Sequence, residues 1–361
     1  MYSPNSTRSE QARESQRFEE SNSLPKKPDQ LGVSIIIPTY NRPEDLSETL
    51  RSILAQTLIP QQVIVVDDSQ EDATQRLVLN IEKEFRDKGI EVIYTRDPHR
   101  RSLTIARNLG ARLSKEEIVL FLDDDVTLDQ EYVGCILKVY SDRPEALGVQ
   151  GYWFPISPPT LSFLLTQALS RTFFKGYYSK QRCFVQPSFE STYPYKLESL
   201  TQCQSLSGCN QSYRRTVFER FIFDEKLGNY APGEDLDLSY RVFKSAPYSL
   251  FITPTARLVH RVTPLSRIPQ RRLVYLSEVY KEYLFRKNMK QTAGCRMAFA
   301  WSRIGTLLFT TMSAARRRKS TGNPYAAFKC YLGALVLCIR HRKDIREGDL
   351  SFIHSGLESV P

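Results

Sequence analysis

Four short apolar runs stand along the first third of the chain at a nearly constant spacing. They begin at residues 33, 62, 90 and 117, so that successive starts lie 27 to 29 residues apart. The segments between them carry apolar residues at helical intervals, for example Leu46, Leu50 and Leu54 after Pro43. Repeated strand–helix units of this kind predict an α/β fold with a mostly parallel, doubly wound sheet and right-handed crossovers.

Polar residues follow three of the four predicted strands. In chain order these strand ends contain Thr39 and Asn41 after Pro38, then Asp67 and Asp68, and finally Asp123, Asp124 and Asp125. Ligands of such sheets bind outside the carboxyl ends of the strands. The pattern therefore predicts that these side chains line one site.

The aspartate triplet carries the strongest chemical signal in this set. Three adjacent carboxylates repel one another and are costly at a sheet edge unless a cation lies nearby. Along an extended chain, Asp123 and Asp125 share a face while Asp124 points away. Hard oxygen ligands suit Mg²⁺ or Mn²⁺. Taken alone, the triplet is equally compatible with a solvated turn at the end of a strand.

Beyond residue 150 the pattern is less regular. Residues 151–200 are rich in aromatic residues and proline, and no secondary structure can be assigned to them from the sequence. Further along, helices are predicted near Thr216–Phe221 and over Glu234–Lys244. A strand at Ser249–Thr253 follows, and His260 comes shortly after it.

Charge is distributed unevenly along the 361 residues. The net charge is +10, but residues 261–361 hold 19 Lys and Arg against 6 Asp and Glu, a net of +13, which leaves −3 for the first 260 residues. Nucleic acid and anionic lipid are the usual partners of so basic a region. Its apolar segments, Met297–Ala315 and Tyr325–Ile339, favour amphipathic helices on an anionic membrane surface over a nucleic-acid interface. A pair of ordinary packed helices is the alternative.

The composition of the N-terminal residues and the spacing of the cysteines give further information about the protein. Residues 1–30 are polar and predict a disordered tail, and the polar N-terminus shows no signal peptide. The seven cysteines are scattered and form no CxxC pair. That distribution indicates reduced thiols in a cytosolic setting.

Six motifs follow one another along the chain: Val33–Asn41 (VSIIIPTYN), Val63–Asp68 (VIVVDD), Ala106–Gly110 (ARNLG), Leu120–Asp125 (LFLDDD), Gly208–Tyr213 (GCNQSY) and Gly233–Leu238 (GEDLDL). In this order they resemble glycosyltransferase family 2, the nucleotide-sugar transferases of GT-A type. The resemblance implies a GT-A catalytic domain over residues 31–262. Its nucleotide-sugar-binding half would be 31–150 and its acceptor half 151–262, before a basic helical region at 263–361. It also implies a nucleotide-sugar donor, Mg²⁺ or Mn²⁺, and inverting transfer to a hydroxyl.

The resemblance further implies roles for single residues. Asp125 and His260 correspond to metal ligands, Asp235 to the catalytic base and Glu234 to the acceptor side. The residues that correspond to donor-binding positions are Pro38, Thr39, Asn41, Asp68, Arg107, Asn108, Asp123 and Asp124. A carboxylate at Asp68 accepts from a base N–H, which favours a UDP- or dTDP-sugar. The alternative for the acidic pair is stabilisation of a helix dipole.

Several expectations about the substrate follow from the resemblance. Processive synthases of the family carry a Q-x-x-R-W signature after the acidic pair, and this chain lacks it, so a single sugar is expected to be transferred. The expected acceptor is a glycan or a polyprenyl-linked molecule in cell-surface glycan or lipid-linked oligosaccharide synthesis. The protein would be cytoplasmic and peripheral at the inner face of the cell membrane, with no nucleic-acid partner.

Two other functions remain open from the sequence. A sugar nucleotidyltransferase shares the need for a nucleotide and a metal, but it predicts a glycine-rich loop after the first strand, where this chain has PTYNRPED. A catalytically inactive glycan-binding module would use the same fold without turnover. The nucleotidyltransferase would release pyrophosphate. The binding module would keep its function in Asp235→Asn, whereas a transferase would lose turnover and still bind the donor.

Overall fold

The computed structural model describes residues 26–96, 102–153, 160–263, 269–316 and 324–356. Strands and helices alternate in the first part of the chain, as the spacing predicts. They are β1 (Val33–Thr39), α1 (Pro43–Leu54), β2 (Gln62–Asp67), α2 (Ala73–Asp87), β3 (Glu91–Arg96), α3 (Leu103–Leu113) and β4 (Ile118–Phe121). Of the predicted tail, residues 1–25 lie outside the described residues, and Pro28–Gln30 form a 3-10 helix.

Shorter strands dominate the next part of the chain. The elements are β5 (Val126–Leu128), α4 (Tyr132–Asp142), β6 (Gly148–Tyr152), α5 (Leu161–Thr172), β7 (Tyr177–Ser179), β8 (Thr192–Pro194), β9 (Thr201–Gln202), β10 (Gln211–Arg214), α6 (Glu234–Ser245) and β11 (Leu250–His260). The helix predicted near Thr216–Phe221 is instead a 3-10 helix, Arg215–Glu219. The strand predicted at Ser249–Thr253 continues to His260, which brings that histidine into the sheet.

The basic region is helical. It contains α7 (Gln270–Asn288), α8 (Ala293–Arg316), α9 (Pro324–Arg340), α10 (Arg342–Glu347) and α11 (Ser351–Gly356). The two apolar segments predicted from the sequence coincide with α8 and α9. Among the described residues, none of the helices combines the length and the apolar character needed to cross a bilayer.

The strands of the described ranges form a nine-stranded sheet of order β3-β2-β1-β4-β10-β6-β11-β5, with β9 beside β11. β1 pairs in parallel with β2 and β4, and β2 with β3. β10 runs antiparallel between β4 and β6, and β11 pairs in parallel with β6 and antiparallel with β5. The sheet is thus mostly parallel, and the carboxyl ends of β1, β2 and β4 meet at one edge.

Both faces of the central strands are covered by helices. Ile35 and Ile37 of β1 contact the core beneath α1, α2 and α4, whereas Ile36 contacts the core shared with α3 and α6. Every residue of β1, β2 and β4 is buried. That double burial explains why these strands appear in the sequence as continuous apolar runs. A third apolar core joins α7, α8 and α9 through residues such as Tyr280 and Phe299.

Candidate active site

The aspartate triplet follows β4, and its side chains diverge. Asp124 is buried and accepts hydrogen bonds from Thr39 Oγ1 at 2.8 Å and from Arg42 Nη1 at 2.9 Å. Burial raises the pKa of Asp124 to about 6 although Arg42 opposes the rise. Asp124 therefore ties the loop after β1 to the triplet. Asp123 and Asp125 face a different neighbour.

That neighbour is His260, at the end of β11. The antiparallel pairing of β11 with β5 sets His260 opposite Val126, beside the triplet. His260 Nε2 lies 3.0 Å from Asp125 Oδ1 and 3.9 Å from Asp123 Oδ2, and one ligand atom from each of the three residues lies within 4.8 Å of the others. Two carboxylates and an imidazole form a donor set that suits Mn²⁺ or Mg²⁺.

The surroundings of Asp125 and His260 favour the charged forms of both side chains. Burial raises the pKa of Asp125, but the hydrogen bond from His260 and the charge of Arg42 outweigh it and hold that pKa below the usual range. Burial would lower the pKa of His260, yet its contacts with Asp125 and Cys209 raise it to about 10. The group thus keeps Asp125 ionised, the state in which a carboxylate binds a cation, and a cation bound here would displace the proton of His260.

A second acidic pair begins α6. Gly233 precedes the helix with φ +94°, a left-handed conformation that suits glycine. Asp235 Oδ2 accepts from the Gly208 N–H at 2.8 Å, and Oδ1 accepts from the Leu236 N–H at 2.7 Å. Burial raises the pKa of Asp235 against these hydrogen bonds. Burial and the charge of Asp235 also raise the pKa of Glu234 to about 8, although Arg107 opposes the rise.

Arg107 of α3 joins the two acidic groups. Its side chain is only 1% exposed; Nη1 contacts Glu234, Nη2 lies 3.2 Å from Asp123 Oδ1, and Nη2 donates to the Gly208 carbonyl at 2.9 Å. A planar guanidinium can reach several acceptors at once from a fixed position. Arg107 therefore fixes the triplet, the start of α6 and the Gly208 loop relative to one another.

The bridging role of Arg107 leads to a stability prediction. Arg107→Lys keeps the charge but cannot contact Asp123, Glu234 and Gly208 together, so we expect the free energy of unfolding to fall by about 2 kcal/mol. Urea unfolding followed by circular dichroism measures the change. Arg86→Lys, at an exposed position of α2, is the matched control and should alter stability by less than about 0.5 kcal/mol. Equal changes in the two variants would contradict the bridging role.

Two cavities meet at Asp235. The first holds about 480 Å³ and is lined by the β1 loop, the triplet, Arg107, the acidic pair and His260. The second holds about 350 Å³ and is lined largely by residues from the segment 151–200, including Tyr178 and Tyr193. Trp153, Ser207 and Asp235 line both cavities. We call them the donor cleft and the aromatic cavity.

The structure brings most of the predicted site residues to the donor cleft. The predicted residues that line it are Pro38, Thr39, Asp68, Arg107, Asp123, Asp124, Asp125, Glu234, Asp235 and His260. Asn41 and Asn108 are not among the lining residues. The Asn41 N–H donates to Ser69 Oγ at 2.7 Å, and the Asn108 amide donates to the Phe223 carbonyl and Glu225, both at 2.9 Å.

Some site residues were missed in the sequence. Arg42 contacts Asp124 and lies 3.4 Å from Asp125, and its place in the loop after β1 was the available signal. Trp153 packs edge-on against the His260 ring at 6.2 Å between centroids, and nothing in the sequence pointed to it. Asp237, which had no predicted role, is buried and accepts from Asn288 at 2.7 Å, so it anchors α6 to α7.

The chain is similar in sequence to a known protein family. Residues 34–221 match the family model described as Glycosyl transferase family 2. The match spans more than half of the chain, which therefore belongs to that family.

Curated relatives match over part of their length. A glucosyl-dolichyl phosphate glucuronosyltransferase from Haloferax volcanii is 31% identical over 125 residues, which are 34% of this chain and 38% of that protein. A chondroitin synthase from Escherichia coli is 26% identical over 231 residues, 60% of this chain and 33% of that protein. The chain thus spans about a third of the length of these two relatives.

Solved structures share the fold. The mannosyltransferase PcManGT from Pyrobaculum calidifontis, in complex with GDP-Man and Mn²⁺, matches with a TM-score of 0.52 at 17% identity, over 98% of this chain and 94% of that one. Staphylococcus aureus TarS, in complex with UDP-GlcNAc, matches with a TM-score of 0.51 at 16% identity, over 91% of each chain. These neighbours and the mostly parallel sheet confirm the GT-A fold.

Proposed function

We propose that the protein transfers a single sugar, with inversion, from a nucleotide-diphosphate sugar to an acceptor hydroxyl, and that Asp235 is the base. The observation that carries the proposal is the position of Asp235 on the shared wall of the donor cleft and the aromatic cavity. An inverting transfer needs a base beside the attacking hydroxyl, on the side of the sugar opposite the leaving group. A carboxylate between two cavities meets that need.

The donor would lie in the cleft with its diphosphate toward the triplet. Asp125 and His260, with Asp123 at their side, would hold Mg²⁺ or Mn²⁺, and the donor set of the three residues fits such an ion. A bound ion neutralises the charge that develops on the departing nucleoside diphosphate. The GDP-Man complex of PcManGT contains Mn²⁺, which supports this assignment.

The remaining donor contacts would come from residues around the cleft. Asp68 lies in the cleft wall, where its Oδ2 accepts from the Ser102 N–H at 3.1 Å, and its carboxylate would accept from a uracil or thymine base. Pro38 and Thr39 would contact the nucleoside. Asn41 and Asn108 would position the donor-contacting residues indirectly, because each is hydrogen-bonded to a neighbouring loop.

The acceptor would occupy the aromatic cavity in the half formed by residues 151–262. Glu234 would help to position its hydroxyl beside Asp235. A polyprenyl-linked or surface-glycan acceptor fits the basic helical region 263–361, which would hold the enzyme peripherally at the cytoplasmic face of the cell membrane. The Haloferax relative is named for a glucosyl-dolichyl phosphate substrate, which supports a lipid-linked acceptor.

A screen of nucleotide-sugars with Mn²⁺ tests the proposed reaction. We expect release of a nucleoside diphosphate from UDP- or dTDP-sugars in preference to others. Asp68→Ala should raise the donor KM about tenfold or more, because a hydrogen bond to a charged group is lost. Asp72→Ala, which removes a more exposed acid after the same strand, is the control and should leave KM unchanged.

Other products would overturn the proposal. Release of pyrophosphate from a nucleoside triphosphate supplied with a sugar 1-phosphate would indicate the sugar nucleotidyltransferase. Donor or glycan binding without turnover, in the presence of metal and of candidate acceptors, would indicate the inactive glycan-binding module.

A further inference from the structure

Helix α5 has two sides with different surroundings. On one side Gln167 and Ser170 line the aromatic cavity. On the other, four leucines are exposed to solvent, among them Leu161 at 74% and Leu165 at 63%. Large aliphatic side chains on the outer side of a helix are unusual for a protein surface in water.

Helix α8 also exposes large apolar side chains to solvent, and it does so over a longer stretch. Met297, Trp301, Ile304, Leu308 and Met312 are exposed and follow one another at helical intervals, so they form a single apolar stripe. The charged Arg303 between them faces inward instead. It contacts Glu282 at 2.7 Å and Glu278 at 3.4 Å on α7.

Helix α9 continues the pattern and adds charge. Phe328, Leu332, Val336 and Ile339 are exposed along one stripe, and Ile339 is 72% exposed. Lys329 and Arg340 are exposed on the same helix. Together α5, α8 and α9 contain no Asp or Glu and six Lys and Arg, of which Arg303 faces inward. The exposed apolar side chains are thus combined with positive charge only.

Direct contacts join the three helices. The Trp301 indole N–H donates to the Thr172 carbonyl at the end of α5 at 2.9 Å, and its ring stacks on Phe173 at 5.1 Å. Tyr331 of α9 donates to the Arg303 carbonyl of α8 at 3.2 Å. The three helices therefore form one packed unit, and we call the exposed apolar side chains of this unit the docking face.

We propose that the docking face binds an anionic lipid bilayer and that α5 thereby sets the aromatic cavity at the bilayer surface. Aliphatic side chains would enter the headgroup–acyl boundary while Lys329 and Arg340 meet lipid phosphates. A second copy of the chain is a poorer partner, because its docking face would oppose like charges. These helices contain no Asp or Glu that would repel the lipid phosphates.

The position of α5 also assigns the acceptor to a class, an inference that rests on the proposed function. One side of α5 lines the cavity that ends at Asp235, and the other side would lie on lipid. A molecule anchored in that bilayer could thus present its head-group sugar to Asp235 without leaving the membrane. The acceptor is accordingly a lipid-linked glycan rather than a free oligosaccharide.

Sedimentation of the full chain with vesicles tests the docking face. The wild type is expected to bind vesicles of phosphatidylcholine with phosphatidylglycerol and to bind pure phosphatidylcholine weakly. Leu164→Glu with Leu165→Glu should lower binding by about tenfold or more, since two apolar contacts are replaced by charges that repel the lipid. Ile304→Glu with Leu308→Glu on α8 should do the same. Leu79→Glu, at a 61% exposed leucine on α2, is the control and should bind as the wild type does.

Two outcomes would overturn the docking face. One is equal vesicle binding by the wild type and both double variants, with circular dichroism showing that all are folded. The other is a dimer in analytical ultracentrifugation that the same substitutions dissociate, which would assign the face to a second copy.

Activity separates this inference from the proposed function. The α5 double variant should hydrolyse the donor at the wild-type rate but transfer sugar to a vesicle-embedded polyprenyl-linked acceptor about tenfold more slowly. Equal transfer by both proteins would overturn the lipid-linked assignment. If the wild type binds vesicles but turns over no nucleotide-sugar, the proposed function fails while the docking face stands.

Discussion

Asp235→Asn is expected to lower kcat by about 10²–10⁴-fold while the donor still binds. The amide cannot take the proton of the acceptor hydroxyl, yet it keeps the shape of the carboxylate, and its single oxygen can still accept from one of the two N–H groups, Gly208 or Leu236. Turnover under saturating donor measures the first effect, and calorimetric titration with the nucleotide measures the second. Near-normal kcat would exclude Asp235 as the base.

The role of Asp235 as the base determines in which direction kcat changes with pH. A base acts only when deprotonated, and burial raises the pKa of Asp235. The acid limb of the kcat profile should therefore lie above the ordinary aspartate pKa of about 4, and it should disappear from the residual activity of Asp235→Asn. Asp237→Asn, two residues along the same helix but outside the cleft, should lower stability while leaving the position of that limb unchanged.

Asp125→Ala is expected to abolish measurable Mn²⁺ binding and to reduce turnover by about 10²–10³-fold. The substitution leaves His260 and Asp123 without the carboxylate that lies 3.0 Å from the imidazole. Titration with Mn²⁺ and restoration of activity by Mn²⁺ after chelation measure the two effects. Asp129→Ala removes an exposed carboxylate a few residues further along and is the control. Wild-type Mn²⁺ stimulation in Asp125→Ala would exclude this residue as a ligand.

Local pattern was enough to predict the framework of the donor cleft. The strands β1, β2 and β4 are buried on both faces, so their apolar runs were visible, and the residues after them had to meet at one edge. The acidic pair starts a helix where the predicted helix starts. These features depend on neighbours within one strand–helix unit.

Long-range contacts were beyond the reach of the sequence pattern. The resemblance implied donor binding for Arg107, whereas its partners Glu234 and Gly208 lie more than a hundred residues away. Strands β7 and β8 have only three residues each, too few for a periodicity to appear. The aromatic cavity and the outward leucines of α5 arise from that segment, so neither could be predicted.

The inward position of Arg303 restricts the rotation of α8 about its own axis. Turning the helix to hide its apolar stripe would pull the guanidinium away from Glu278 and Glu282 on α7. Separating such buried ions costs about 3–5 kcal/mol. The stripe is therefore a permanent feature of the folded chain, and an encounter with lipid requires no prior rearrangement of this helix.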